Sequence, residues 1–145
     1  MNPDRLAETA IRQILIGGGI TIPILKSFQD DTERMALPSI SIKSLGGLTD
    51  PITSACERLT FVIELHSSAI KHADDNPTPA ATHLTNWDSV CEILLDDNVD
   101  ELLSAAVADF TAFDSVVLSR GPNNTLDNRF ISQMSMVLSA SAADV

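Results

Sequence analysis

The stretch Glu57-Arg58-Leu59-Thr60-Phe61-Val62-Ile63-Glu64-Leu65-His66-Ser67-Ser68 places Leu59, Phe61, Ile63 and Leu65 on every second position. At period 2 those four side chains share one face of a β-strand, and Arg58, Thr60, Glu64 and His66 share the other. A second alternating run, residues 129–139, puts Phe130, Met134, Met136 and Leu138 on one face beside Ser132. Two long one-sided strands need an apolar layer against them, and three helical stretches supply it.

The first helix is expected over residues 4–16, where Leu6, Ala7, Ala10, Ile11, Ile14 and Leu15 recur at helical spacing. Pro3 suits its first turn, and Gly17-Gly18-Gly19 reads as a stop and a mobile connection. Thr78-Pro79 has the form of a cap followed by proline at the first helical position, and Leu84, Trp87, Val90, Cys91, Leu94 and Leu95 continue as an inward stripe. Asp96-Asp97 interrupts that stripe. Asn98 and Glu101 then have the spacing of a capping box, opening a shorter helix with Leu102, Leu103, Ala106, Val107 and Phe110 inside.

Shorter strands are expected at residues 20–28, with Pro23 favouring an edge, at 38–44 around Ile40 and Ile42, and at 113–120 around Val116-Val117-Leu118. Residues 46–56 read as a long loop, 67–78 as a polar segment centred on Asp74-Asp75-Asn76-Pro77, and Gly121-Pro122-Asn123-Asn124-Thr125 as a turn into the last strand. The order is helix, three strands, two helices, two strands. It predicts a single α+β domain over residues 1–145, with 140–145 a short unpatterned tail. The expected sheet is mostly antiparallel, of about five strands, packed by the N-terminal helix and the central helix pair.

Composition narrows the function classes. The chain has 145 residues, 44% of them hydrophobic, which is sufficient for one core. Twenty acidic residues against nine basic ones give a net charge of −11, and the basic residues are scattered singly. Such a surface repels phosphate backbones and argues against tight nucleic-acid binding, while leaving room for unbound passage through an acidic hole. No apolar run approaches the roughly 20 residues of a membrane span, and Met1-Asn2-Pro3-Asp4 has no signal-peptide character, so a cytosolic protein is expected. Cys56 and Cys91 are then expected to be free thiols, Cys91 as a small core residue.

Chemistry-bearing residues give no enzyme signature. His66, His72 and His83, with Asp74 and Asp75, lack the paired spacing a zinc site uses, and read as polar loop residues. Asp96, Asp97, Asp100 and Glu101 are explained by the electropositive start of a helix, without a calcium-loop pattern. The three glycines follow a helix and precede a strand, the reverse of a phosphate loop. No serine lies in a nucleophile elbow, and Ser41, Ser67 and Ser68 read as exposed strand faces. Trp87 lies on a core stripe. No cofactor, metal or catalytic residue is expected, and the chain is read as a non-enzyme.

Seven elements, in order, carry a family resemblance: the helix at 6–15, an early strand, Pro38-Ser39-Ile40-Ser41-Ile42, the strand at 58–66, the helix at 84–95, Val116-Val117-Leu118, and Asp127-Asn128-Arg129-Phe130. Together, over residues 4–139, they resemble the tail terminator (tail completion) proteins of long-tailed bacteriophages. The resemblance implies a virion structural protein of the tail and neck, assembled in the host cytoplasm and forming a homo-oligomeric, six-membered ring. That ring caps the tail tube protein and joins it to a neck or head-completion protein, with DNA passing through unbound. The contact elements it implies are the loop at 46–56 with Asp50, Pro51 and Ile52, the polar segment with Asp74 and Asp75, and the turn with Asn123, Asn124 and Asp127. A head-closure or neck connector subunit of the same virion is the alternative. A cytosolic small-molecule binding domain is the further one, and it would need a closed apolar pocket.

Overall fold

The structure, a computed structural model, describes residues 2–25, 36–49, 56–121 and 124–142, with the backbone alone at 49, 124 and 142. Helix α1 (Pro3–Gly17) is followed by strands β1 (Ile24–Leu25), β2 (Ser39–Thr49) and β3 (Cys56–Ser68). Helices α2 (Pro79–Leu94) and α3 (Val99–Ala106) come next, then strands β4 (Phe110–Arg120), β5 (Asn124–Leu126) and β6 (Arg129–Ala142). The strands form one sheet in the order β1-β2-β3-β6-β4, with β5 paired to the start of β6. Every pairing is antiparallel except the two-residue β1–β2 contact. The fold is α+β, as the element order predicts.

The two alternating runs form the centre of this sheet. β3 and β6 pair without interruption from Cys56–Ser141 to Ser68–Arg129. Leu59, Phe61, Ile63 and Leu65 meet Leu138, Met136, Met134 and Ser132 across the ladder, and all eight side chains are buried. Ala7, Ala10, Ile11, Ile14 and Leu15 of α1, Trp87, Val90, Cys91 and Leu94 of α2, and Val99 and Leu103 of α3 complete one core on that face. Each fully buried large apolar side chain there contributes roughly 1.5–3 kcal/mol of transfer free energy.

Several expectations are corrected. β2 does not stop at residue 44. It runs through Gly46-Gly47 to Thr49 by inserting one extra residue opposite Thr60. Gly46, at φ +94°, makes that bulge possible, and a Cβ at Gly47 would sit 3.1 Å from the Arg58 carbonyl oxygen. The expected strand at 20–28 is represented by Ile24–Leu25, and residues 26–28 lie outside the described residues. β4 begins at Phe110, three residues earlier than expected. The reversal before β6 is made by Asp127 and Asn128, both at positive φ (48° and 60°), so β5 and β6 form a hairpin where only a turn at 121–125 was expected.

The helix ends also differ. Gly19 (φ +98°) makes the left-handed turn after α1, while a Cβ on Gly18 would lie 2.8 Å from Ile93 Cγ1 of α2. Gly18 therefore packs closely against α2, and Gly19 makes the turn that ends the helix, as the sequence reading of a helix stop expects. Thr78 caps α2 as expected, accepting from Ala81 N at 3.3 Å. The Asn98–Glu101 capping box does not form; Asp96 Oδ1 instead accepts from Asn98 N at 2.8 Å. Leu84, Leu95 and Leu102 are exposed, because the inward faces of α2 and α3 are centred on His83, Trp87, Val99 and Leu103.

Candidate subunit interface and buried histidine cluster

His83, one turn into α2, points at the sheet and not into a solvated loop. Its Nδ1 lies 2.7 Å from Ser67 Oγ of β3 and its Nε2 2.8 Å from Ser132 Oγ of β6. All three residues are buried, and the imidazole rests against the Phe130 ring with centroids 5.7 Å apart. Burial holds the His83 pKa below its ordinary 6.5, with His66 adding to the effect. A neutral imidazole has one donor and one acceptor nitrogen, so one hydroxyl accepts from the ring and the other donates to it. This satisfies a polar side chain within an apolar layer and ties α2 to both central strands.

His66, next to Ser67 in β3, faces the opposite side of the sheet. It is also buried, and neither of its ring nitrogens has a hydrogen-bond partner. Glu64 Oε2 lies 3.9 Å from Nε2, and Glu64 Oε1 is 3.6 Å from Lys43 Nζ. Burial lowers the His66 pKa, Glu64 opposes that shift, and Arg129 and Lys43 add to it. Ser41, expected to be exposed, is buried beside this row with an unpartnered hydroxyl. His72 alone of the three histidines is exposed; its backbone N–H donates to Asp75 Oδ2 at 2.7 Å. Among the described residues no group of three metal-ligating side chains exists. Cys56 and Cys91 are free thiols, and burial pushes the Cys91 pKa up, away from thiolate reactivity.

Among the described residues each end of the sheet is covered in part. At one end β1 pairs with Ile40 and Ser41 only, leaving 43–49 of β2 without a described neighbour. At the other, α3 covers the start of β4: Ala112 N donates to Ser104 Oγ at 2.9 Å, Ser104 Oγ lies 2.8 Å from the Asp100 carbonyl oxygen and 3.2 Å from that of Ala112, and Asp100 Oδ1 accepts from Ser115 N at 3.3 Å. That leaves 116–120 of β4 without a described neighbour on its outer side. Exposed large apolar side chains stand on both open stretches: Leu45 and Leu48 on β2, Val116 and Leu118 on β4. Leu126 of β5 is exposed nearby in sequence.

Two open clefts lie beside these elements. One of about 240 Å³ has Asp96, Asp97 and Asp100 on its rim and Val117 and Met136 among its lining. The other, about 260 Å³, lies between Ser67, Thr82, Ile70 and the Asp75–Pro77 turn. Both are smaller than the roughly 300–1,000 Å³ of ordinary ligand pockets. Of the contact residues expected from the sequence, Asp74 and Asp75 sit in the turn before α2, and Asp127 sits at the β5–β6 reversal. Asn124 begins β5, with only its backbone described. Asp50, Pro51, Ile52 and Asn123 lie outside the described residues. Neither the histidine cluster nor the open edges figured among the expected contact residues. The edges had a signal in the uncharged runs Ser44–Thr49 and Ser115–Ser119; the cluster had none, because its members are separated by 16 and 49 positions.

No helix among the described residues is long and apolar enough to cross a membrane. No family model matches the chain, and no curated protein matches it.

Proposed function

We propose that this chain is a ring-forming virion structural protein, a tail terminator that caps a phage tail tube and joins it to the neck or head-completion protein. The reading rests on the order of elements that resembles that family, and one observation carries it further. Among the described residues all three helices pack on a single face of the sheet, and large apolar side chains are exposed both on the helices (Leu84, Leu95, Leu102) and on the strands (Leu45, Leu48, Val116, Leu118). A surface of that kind works by contact with other macromolecules.

Head-to-tail contact between unlike surfaces closes into a ring when the rotation closes. The acidic balance is compatible with DNA passing through such a ring unbound. No cofactor or turnover enters this function. A head-closure or neck connector subunit would use the same surfaces one layer away.

Light scattering of the purified chain, alone and with tail tube protein, should give a mass that is a small integer multiple of 15.6 kDa. Electron microscopy of assembled particles should then place it at the head–tail junction. A persistent monomer in both samples would overturn the proposal, and a position in the neck layer would replace it with the connector reading.

A further inference from the structure

We infer that Ser67 is the nucleophile of an acyl-transfer site, with His83 as its base, and that the cleft beside it takes short, uncharged acyl esters. This activity is separate from the ring reading, and its test leaves that reading untouched.

Access is the first ground. The three members of the histidine cluster are not equivalent. Ser132 and His83 are buried at 0% and 3% exposure, whereas Ser67 lines the open cleft of about 260 Å³. The Ser67 residue therefore stands between the imidazole and the space an ester would enter. Packing alone would be served equally well by a sealed cluster.

Geometry is the second ground. Leu65 pairs with Ser132 and Ser67 with Phe130, so Ser67 and Ser132 are diagonal neighbours on the β3–β6 ladder. The imidazole spans that diagonal, with Nδ1 2.7 Å from Ser67 Oγ and Nε2 2.8 Å from Ser132 Oγ. In the tautomer protonated at Nε2, that nitrogen donates to Ser132 and Nδ1 accepts from Ser67. A hydroxyl, a base within hydrogen-bond reach and a third group that orients the base are the parts an activated serine requires. Burial keeps the imidazole pKa below 6.5, so at pH 7.5 the ring is neutral and free to take a proton.

The cleft wall is the third ground. Thr82 and Asn86, one turn apart on α2, line the same cleft and carry a hydroxyl and an amide that can donate to an oxyanion. Ile70 and Pro79 supply apolar wall for an acyl chain, and the Asp75 carboxylate disfavours an anionic one. The cleft is smaller than the roughly 300–1,000 Å³ of ordinary ligand pockets, which restricts it to short acyl groups.

The chemistry balances without a cofactor. Ser67 Oγ bonds to the ester carbonyl carbon while its proton passes to His83 Nδ1. The carbonyl re-forms as the bond to the leaving oxygen breaks, and that oxygen takes the proton from His83. Water, giving a proton to the same nitrogen, then cleaves the Ser67 ester and releases the acid. Ester and water become acid and alcohol.

The test uses the full chain at pH 7.5 with p-nitrophenyl acetate as the probe. Expected are a burst of p-nitrophenolate matching the protein concentration, slow release after it, and an acetyl group mapped to Ser67 by peptide mass spectrometry. Ser67→Ala should abolish the burst. His83→Gln, shown by circular dichroism to be folded, should slow acylation by about 100-fold or more. Ser89→Ala, which removes a hydroxyl that donates to the Thr85 carbonyl oxygen, should leave the burst unchanged.

A parent chain acetylated at amines such as Lys71 but not at Ser67 would overturn the inference without recourse to any variant. Acetylation of Ser67 at an undiminished rate in folded His83→Gln would overturn it as well, since the histidine would then be a packing residue only.

Discussion

Arg58 reaches across β6 to the backbone of Asp114: its Nη1 lies 2.8 Å from the Asp114 carbonyl oxygen and 2.9 Å from Ser139 Oγ. Asp114 sits at φ +51°, inside the first bulge of β4, where a residue is inserted between Phe113 and Val116. A left-handed conformation at a residue other than glycine costs of order 1–3 kcal/mol and persists where its surroundings hold it. The guanidinium is one such hold, spanning three strands on the helix-free face.

Removing it should loosen the bulge. Arg58→Ala deletes two charge-assisted hydrogen bonds at a half-buried position, and the expected loss is about 1–2 kcal/mol. Arg58→Lys should recover only part of this, since an ammonium lacks the planar fork. Urea midpoints of the three proteins check the order, and equal midpoints for Arg58→Ala and the parent would remove Arg58 from the account.

The histidine cluster should behave as one unit. Deleting His83 as His83→Ala removes the imidazole that both buried hydroxyls contact and opens a cavity, for an expected loss of about 2–4 kcal/mol. Ser67→Ala and Ser132→Ala should each be destabilising by about 1–3 kcal/mol in the His83 background, and by much less in the His83→Ala background. A double-mutant cycle reads this directly. Strict additivity would mean that the three residues do not share one network.

Stability should fall on acidification. Burial lowers the pKa of both His66 and His83 in the folded chain. The unfolded chain, with histidines near 6.5, therefore binds protons first as pH drops. Both groups are neutral in either state well above 6.5, so the stability is fully present there. It declines below 6.5 and levels off once the folded-state pKa values are passed, with a slope of up to about 1.4 kcal/mol per pH unit for each proton. Denaturation at pH 7.5 and 5.5 measures the drop, and His66→Gln should reduce it. A His66→Gln protein with an undiminished drop would exclude His66 as a contributor.

Gly47 should not accept a side chain. An added Cβ would lie 2.5 Å from Leu59 Cδ2 and 3.1 Å from the Arg58 carbonyl oxygen, and Leu59 is fully buried. Gly47→Ala is expected to be destabilising by about 1–3 kcal/mol through overpacking. Gly17→Ala, with open space at its Cβ, should be neutral or stabilising by up to about 1 kcal/mol. Thermal melts of the two variants give opposite shifts if the bulge is packed in this way.

Residues 57–68 and 129–139 were legible because alternation over eleven or more positions leaves one solution, a strand with one wet and one dry face. The helices were legible for the same reason at period 3.6, and Thr78-Pro79 marked a start through local chemistry alone. The continuation of β2 was not legible. Gly46 and Gly47 break the alternation, and the bulge that absorbs them is defined only by the partner strand. The capping at α3 was misjudged because Asp96 takes the Asn98 N–H that Glu101 would accept from in a capping box, and Asp100 is drawn to Ser115 of β4.

Hydrophobic periodicity, a local property of neighbouring residues, was thus enough to set the helices, the central strand pair and the α+β class. Register and the pairing of distant hydroxyls with one imidazole depend on residues far apart in the chain. Packing selects among such arrangements, since each strand meets its neighbours through contacts that no single segment encodes.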